Sequence, residues 1–176
     1  MYIRDRELVT PHLVLKSIED KDKKDFIPIF TSEEVKETYM LPDLKTKEEK
    51  EALFNRLKTI SEDREKFTYG IYLDERIIGY INEVDKKGDT IEMGYFLSPN
   101  FWGKGYATEA LEACIKELFK IGYNHVKCGY FTGNNASKRV MEKCGLSKSD
   151  EVEEIEYKGN KLLAIYYQID NPVLFK

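Results

Sequence analysis

The sequence predicts an α/β chain of the α+β type, whose central sheet is mixed but mostly antiparallel and is flanked by helices. Three apolar stretches follow one another at residues 67–73, 77–84 and 91–97, and short polar turns separate them. Such spacing is typical of antiparallel hairpins. Patterns with apolar residues three or four positions apart lie before and after these strands, so helices are expected to cover the sheet.

The first part of the chain is expected to hold one strand and two helices. His12–Lys16 is a short apolar run that predicts a strand. Ile18–Phe30 and Thr46–Ser61 have helical spacing, and the second range carries its apolar residues on one side. Thr31–Lys45 is expected to be irregular or only partly helical, because Pro42 is incompatible with an unbroken helix.

The last part adds two helices, a strand and a final hairpin. The expected elements are a helix with apolar positions between Ala107 and Phe119, a strand at His125–Phe131, a short helix at Ala136–Cys144 that Gly145 ends, and a hairpin of Ile155–Tyr157 and Leu162–Tyr167. No internal repeat or low-complexity linker divides the chain. A single domain over residues 1–176 is therefore predicted.

The composition narrows the class of protein. An apolar fraction of 41% and a charged fraction of 34% are typical of a globular chain. The net charge of -4 disfavours nucleic acid as a partner, because nucleic-acid binding needs a basic surface. No apolar run is long enough to span a bilayer and the N-terminus is too charged for a secretory signal, so no membrane contact and a cytoplasmic location are expected. Three scattered cysteines and two histidines predict reduced, packed thiols and no metal site.

The segment Pro99–Ala110 is the most informative in the chain, because two glycines stand where the strand Ile91–Leu97 gives way to a helix. Gly103 and Gly105 have no Cβ atom, so a ligand can approach the backbone closely there. The first N–H groups of a helix lack intrahelical acceptors and lie at the positive end of its dipole, where phosphate binds readily. The loop is therefore a candidate pyrophosphate site, although two glycines also suit a simple tight turn.

Two other phosphate-binding loops do not fit these residues. A P-loop requires a glycine, four residues and then Gly-Lys-Ser/Thr, which the run Gly103–Gly105 does not supply. The dinucleotide-binding fingerprint requires a third glycine at the position that Thr108 occupies.

Two motifs, Trp102–Ala110 and Asn134–Leu146, together resemble those of the GNAT N-acetyltransferase superfamily. Trp102–Ala110 resembles its acetyl-CoA loop, in the form found in the branch that acetylates the N-termini of ribosomal proteins. Further along, Asn134–Leu146 resembles the second signature of that branch, an Asn-x-Ala-Ser that opens a helix ending in Lys-x-Gly-Phe/Leu. The strand at Leu13–Leu15 is also similar to the opening of that branch, so the resemblance covers nearly the whole chain. Trp102 departs from the Gln or Arg that is usual at its position, although other members of the branch also carry Trp there.

The resemblance implies the GNAT fold and a site for acetyl-CoA as co-substrate. The loop backbone would bind the CoA pyrophosphate, with Lys104 adding positive charge. The residues that the resemblance assigns to cofactor binding are Leu97, Trp102, Gly103, Lys104, Gly105, Tyr106, Ala107, Thr108, Asn134 and Ser137. It also implies that the two strands flanking the loop helix separate and that pantetheine lies between them, bonded to the Leu97 backbone. The backbone N–H of Tyr95 would then stabilise the oxyanion.

The expected reaction is direct transfer of the acetyl group to a primary amine, which requires groups that accept and donate protons. Glu92, on the strand that enters the loop, is the candidate general base, and Glu83 on the neighbouring strand is the weaker alternative. By resemblance, Ser137 is the candidate donor to the leaving thiolate. Asn134 or Ser137 would equally serve as a helix cap. Tyr166 is a further candidate acid.

The sequence leaves the acceptor open. The acidic run 150–156 would either attract a cationic substrate or form a solvated strand face. Tyr39, Met40 and Leu41 would either line the acceptor cleft or close the core. The α-amine at the N-terminus of a peptide or protein is the favoured acceptor, and a small amine such as a polyamine or an aminoglycoside is the alternative. A non-catalytic CoA-binding regulatory module is an alternative from another class, and homodimers are common in the superfamily.

Overall fold

The computed structural model describes residues 3–175, which form one eight-stranded sheet with helices on both faces. The strands are β1 (Leu8–Val9), β2 (Leu13–Lys16), β3 (Thr68–Leu73), β4 (Arg76–Lys87), β5 (Thr90–Leu97), β6 (His125–Phe131), β7 (Ser147–Tyr157) and β8 (Asn160–Asp170). The α-helices are α1 (Lys23–Phe30), α2 (Glu33–Thr38), α3 (Lys47–Glu62), α4 (Tyr106–Ile121) and α5 (Asn135–Lys143).

The sheet is mixed and mostly antiparallel, which confirms the predicted class. Its strand order is β1-β2-β3-β4-β5-β6-β8-β7. Only the pair β5 and β6 is parallel among these neighbours. Parallel neighbours need a long crossover, and α4 supplies it between β5 and β6.

Two hydrophobic clusters pack on opposite faces of the sheet, because successive side chains of a strand point to opposite faces. On one face, α4 buries Leu111, Cys114 and Leu118 in a cluster that includes Met93 of β5. On the other face, Phe96 of β5 packs with aromatic rings of α1 and α3. Strand β5 therefore contributes side chains to both layers.

The first helix starts later than its apolar spacing predicts. The backbone N–H of Ile18 donates to the Ser61 hydroxyl at 2.8 Å, which ties this residue to the end of α3. Glu19 is extended, with φ −110° and ψ 159°, and a 3-10 turn over Asp20–Asp22 follows before α1 begins at Lys23. The expected helix from Ile18 was therefore wrong at its N-terminal end, since a contact from a distant helix fixes that backbone.

The region between α1 and α3 is partly helical, as expected. Ser32 starts α2 because its side chain accepts a hydrogen bond from the Val35 N–H. Two strand features were not predicted from the sequence: the two-residue strand β1 and the extension of β4 to Lys87, beyond the expected end at Val84. Among residues 3–175, no helix combines the length and the apolar character that a membrane crossing requires.

The final hairpin is much longer than the sequence predicts. Strand β7 begins at Ser147 and β8 ends at Asp170, whereas only 155–157 and 162–167 were expected to be strands. Acidic residues have low strand propensity, and β7 is rich in them, so its pairing with β8 overrides the local preference. Most of β7 is exposed, as expected for the solvated strand face that was one interpretation of the acidic run.

Candidate active site

Strands β5 and β6 separate partway along their length. Their parallel pairing ends at Met93 opposite Cys128, although β5 continues to Leu97 and β6 to Phe131. Beyond this point β4 still pairs with β5 as far as Leu97, and β8 still pairs with β6 as far as Phe131. Each of the two strands that border the gap is therefore hydrogen-bonded to a neighbour on its other side, which holds the strands apart.

The register of β5 shows which of its backbone groups face this gap. The Ser98 N–H donates to the Ile78 carbonyl of β4 at 2.8 Å. Backbone N–H groups of a strand point alternately to its two neighbours, so those of Leu97 and Tyr95 point away from β4. They face the gap, where β6 no longer pairs with them. The strand therefore presents two N–H donors to any extended ligand in the gap.

The glycine loop holds an unusual backbone conformation at the entrance to α4. Gly103 has φ +70° and Gly105 has φ +83°, values that residues with a side chain rarely adopt. A Cβ atom built on either glycine meets nothing within 4 Å, so the space in front of both is open. The first hydrogen bond of α4 runs from the Glu109 N–H to the Gly105 carbonyl at 3.0 Å, so the N–H groups of residues 106–108 lack intrahelical acceptors. The loop combines open space with unused donors.

A cleft of about 940 Å³, including the solvent at its mouth, extends along the loop, the gap and α5. The residues predicted for the site that line this cleft are Tyr95, Leu97, Trp102, Gly103, Gly105, Tyr106, Ala107, Thr108, Asn134 and Ser137. Lys104 is not among the lining residues: its Nζ donates to the Asn100 carbonyl at 3.1 Å and lies 5.4 Å from the centre of the Phe101 ring.

Trp102 connects the loop to the end of β5. Its indole Nε1–H donates to the Leu97 carbonyl at 2.9 Å. A backbone carbonyl has two lone pairs, so the Leu97 oxygen keeps one for a ligand in the gap. This contact gives the Trp102 side chain a definite role in holding the loop against the strand.

Seven lining residues were not predicted from the sequence, and two of them carry positive charge: Thr38, Phe96, Phe101, Ala136, Arg139, Val140 and Lys143. Arg139 and Lys143 line the cleft from α5, and Thr38 lines it from the end of α2. Neither Arg139 nor Lys143 forms an ion pair with any residue in the described range 3–175. Ala136, Arg139 and Lys143 are spaced by three and four residues, which places them on one helical face, and this spacing was the available signal.

The N-terminus of α5 holds Ser137 in a defined orientation. Asn134 is the N-cap, since its Oδ1 accepts from the Ser137 N–H at 3.2 Å. The amide of Asn134 then donates to the Ser137 hydroxyl oxygen at 3.1 Å, which leaves the hydroxyl hydrogen for another acceptor. The Tyr95 hydroxyl donates to the Ser137 carbonyl at 3.4 Å and so connects β5 to α5. Asn134, and not Ser137, is therefore the helix cap.

Glu92 lies beside the gap but does not line the cleft itself. It shares a face of β5 with Phe96, and its Oε2 lies 3.5 Å from the Nζ of Lys127. Burial raises the pKa of the Glu92 carboxyl above its usual value, and Lys127 acts in the opposite direction. Glu83 is occupied elsewhere, because its Oε2 accepts from the Phe67 N–H at 2.9 Å.

The segment after α2 closes the core on the same face as Glu92. Leu41 is buried in the core and Met40 is exposed, while the Tyr39 ring packs edge-on against Phe96 at 4.9 Å. The Tyr157 hydroxyl, at the end of β7, contacts both the N–H and the carbonyl of Leu41. The final hairpin is thus fastened to this segment next to the cleft.

Tyr166, the further candidate acid, is engaged with a carboxylate. Its hydroxyl donates to Glu153 Oε2 at 2.9 Å. Burial, reinforced by this hydrogen bond, raises the pKa of the Tyr166 hydroxyl above its usual value. The proton of Tyr166 is therefore held by Glu153.

Comparisons with known proteins agree with this architecture. An acetyltransferase (GNAT) domain model matches residues 12–147. The uncharacterized N-acetyltransferase YoaA of Bacillus subtilis is 25% identical over 157 residues, covering 86% of this chain and 89% of that protein. A GNAT-family acetyltransferase from Bacillus anthracis has a TM-score of 0.80 at 23% identity, covering 94% of this chain and 98% of that one. RimL, a ribosomal alpha-N-protein acetyltransferase solved with coenzyme A, has a TM-score of 0.80 at 14% identity, covering 93% of this chain and 97% of that one.

The solved structures share the fold of this chain, a mixed sheet with helices on both faces. Because the domain model matches most of its length, the chain belongs to the GNAT acetyltransferase family. It is an acetyl-CoA-dependent N-acetyltransferase.

Proposed function

We propose that this chain, acting as one domain over residues 1–176, transfers the acetyl group of acetyl-CoA to a primary amine by direct attack in a ternary complex. The favoured acceptor is the α-amine at the N-terminus of a peptide or protein, which is also the acceptor in the name of RimL. The observation that carries the proposal is the juxtaposition of the open glycine loop with the gap between β5 and β6.

The residues of the cleft fit the phosphates of acetyl-CoA. The open space at Gly103 and Gly105 lets a diphosphate reach the free N–H groups at the start of α4. Arg139 and Lys143 add two cations without ion-pair partners in the described range. When bound, acetyl-CoA supplies an activated acetyl thioester, and the chain provides the groups that hold and orient it.

The end of β5 fits the other half of the co-substrate. The backbone groups of Leu97 face the gap and can bond an extended pantetheine chain. The Tyr95 N–H faces the same gap and is our candidate donor to the oxyanion. Loss of one such donor typically lowers the rate by about 10²- to 10³-fold. Since the donor belongs to the backbone, it remains in place when the Tyr95 side chain is replaced.

The acceptor amine must be neutral before it attacks, and we assign its deprotonation to Glu92. A free α-amino group has a pKa of about 7.7–8.0, whereas a lysine-type amine has a pKa of about 10.4. A carboxylate with a raised pKa is the better base for either amine, and burial raises the pKa of Glu92. An α-amine needs the smaller contribution from such a base, which is why we favour it.

Ser137 is our candidate hydrogen-bond donor to the departing thiolate. We expect Ser137→Ala to lower kcat by roughly 10- to 100-fold, the value of a hydrogen bond to a charged group. The KM for acetyl-CoA should stay close to that of the wild type, because the Asn134 cap bonds the backbone of residue 137 and survives the change. Steady-state kinetics by thiol release measure both constants. Ser147→Ala, at an exposed serine outside the cleft, is the control, and an undiminished kcat in Ser137→Ala would remove Ser137 from the mechanism.

An acceptor screen tests the proposed function directly. Peptides with free N-termini, polyamines and aminoglycosides are offered with acetyl-CoA under identical conditions, and free thiol is measured. We expect the peptides to give the highest kcat/KM. A preference for polyamines or aminoglycosides would instead support the small-amine alternative, for which the exposed carboxylates of β7 provide a favourable potential. No thiol release with any amine would contradict the proposal.

A further inference from the structure

Lys127 forms an ion pair with Glu92 close to the point where β5 and β6 separate. It lies on β6 directly opposite Glu92 of β5, one pair before the parallel pairing ends. The side chains of Lys127 and Glu92 are only 18% and 16% exposed, and their charged atoms lie 3.5 Å apart. Charges interact more strongly when they are withdrawn from solvent than on the surface. The ion pair therefore stands, partly shielded, where the two strands begin to separate.

The ammonium of Lys127 is shared with a second carboxylate. Both carboxylate oxygens of Glu151 lie within hydrogen-bonding distance of Nζ, at 2.9 and 3.0 Å. Glu151 belongs to the irregular stretch of β7, where the register with β8 shifts. Bulges of this kind redirect side chains and are frequent beside active sites. The ammonium also lies 4.5 Å from the centroid of the Tyr166 ring on β8. Lys127 is therefore held by contacts from three strands, β5, β7 and β8.

The charged and titratable groups around Glu92 come from several elements. They are Asp85 on β4, Lys127 and Cys128 on β6, Glu151 on β7, Tyr166 on β8 and Tyr39 after α2. Burial is the main cause of the raised pKa of Glu92, and Glu151 and Asp85 raise it further by repulsion. Lys127 is the cation that opposes them. The ionised form of Glu92 is thus favoured by one ammonium that Glu151 also binds.

We propose that Lys127 is a positioning residue for the acetyl transfer, holding the Glu92 carboxylate in an ion pair beside the point where β5 and β6 separate. This inference rests on the proposed function of Glu92 as base. Without the ammonium, the buried carboxyl would hold its proton more tightly, and a protonated carboxyl cannot accept another proton from the amine. If Lys127 paired with Glu92 alone, the ammonium would stabilise the Glu92 carboxylate more strongly and make it a weaker base. Because Glu151 also binds the Lys127 ammonium, it limits this stabilisation and keeps Glu92 more basic.

Two variants with opposite expected effects test this inference. The pKa of Glu92 is measured by carbon NMR of the labelled full-length protein, with Glu92→Gln used to assign the signal. Lys127→Met should raise that pKa by about one unit or more, the usual effect of an opposite charge at this distance. Glu151→Gln should lower it, because a repelling charge is removed and Lys127 is released toward Glu92. The acidic limb of the kcat/KM profile, with a free-N-terminus peptide as acceptor, should move in the same two directions.

Two further variants separate positioning from general effects. Lys127→Arg retains the positive charge and should restore a pKa close to that of the wild type. Lys161→Met removes an exposed lysine on β8 that pairs with Glu154 and should leave the pKa unchanged. A Glu92 pKa that does not move in Lys127→Met, or that moves the same way in Glu151→Gln, would overturn the inference. Full activity in Glu92→Gln would contradict the proposed role of Glu92 as base. If Glu92→Gln were inactive, but Lys127→Met had the Glu92 pKa and the pH profile of the wild type, only the role of Lys127 would be contradicted.

Discussion

Gly105→Trp is expected to abolish the thermal stabilisation that acetyl-CoA gives to this protein. A ligand at about 100 times its Kd stabilises the folded state by about 2.7 kcal/mol, which corresponds to a rise in Tm of roughly 5–10 °C for a chain of this size. Gly105 stands at the N-cap of α4 with open space in front of it. An indole there would occupy the space that the diphosphate needs and would cover the unused N–H groups. The measurement is a thermal melt with and without millimolar acetyl-CoA.

The control for this variant must reproduce its backbone strain without touching the cleft. Gly88, in the turn between β4 and β5, has φ +62° and also has nothing within 4 Å of a built Cβ. A side chain in this left-handed conformation costs about 1–2 kcal/mol at either position. Gly88→Trp should therefore lower the Tm of the free protein in the same way but keep the shift with acetyl-CoA. A full shift in Gly105→Trp would place the cofactor site elsewhere.

Glu92→Gln is expected to lower kcat by about 10²- to 10⁴-fold, the range typical for loss of a general base. The amide has the same shape as the carboxyl but cannot accept a proton from the amine. Acetyl-CoA binding should be retained, because Glu92 does not line the cleft. Kinetics with the best acceptor of the screen, together with calorimetric titration of CoA, separate the two effects.

The pH dependence gives a second test of Glu92. Burial raises the pKa of its carboxyl above the usual glutamate value of about 4.3. As the pH is lowered, the wild-type rate should therefore begin to fall at a higher pH than an ordinary glutamate would cause. Protonated Glu92 cannot act as a base, and activity returns as the pH rises through its pKa. Glu92→Gln should lose this acidic limb. Glu83→Gln is the matched control, since Glu83 lies on the neighbouring strand and bonds the Phe67 N–H; an unaltered profile in Glu92→Gln would exclude its role as base.

The glycine loop and the elements next to it could be predicted because their signals are local. Two glycines between an apolar strand and an amphipathic helix predict a tight turn open to a ligand, and the structure shows positive φ at both Gly103 and Gly105. The strands β5 and β6 were predicted within a residue of their ends, because short polar turns and apolar runs bound them. These features depend on the side chains of neighbouring residues and hardly on the remainder of the chain.

The wrong boundaries lie where distant residues decide the backbone. The helix expected from Ile18 begins only at Lys23, because Ser61 of α3 binds the Ile18 N–H. The acidic strand β7 has little tendency to form a strand alone and extends because β8 offers a pairing edge. Neither partner can be identified from a local pattern.

Some features of the candidate site also follow from local sequence, whereas others depend on contacts between distant residues. The sequence alone determined which residues could form a phosphate-binding loop and which carboxylates stood near it, since these follow from residue type and spacing. The separation of β5 and β6 after Met93 depends on tertiary contacts, because β4 and β8 hold the two strands apart through pairings between strands distant in sequence. The tertiary structure also decided that Lys104 turns away while Arg139 faces the cleft, and that Lys127 stands between Glu92 and Glu151. The direction in which a charged side chain points depends on the packing of whole elements, and its spacing in the sequence does not contain that information.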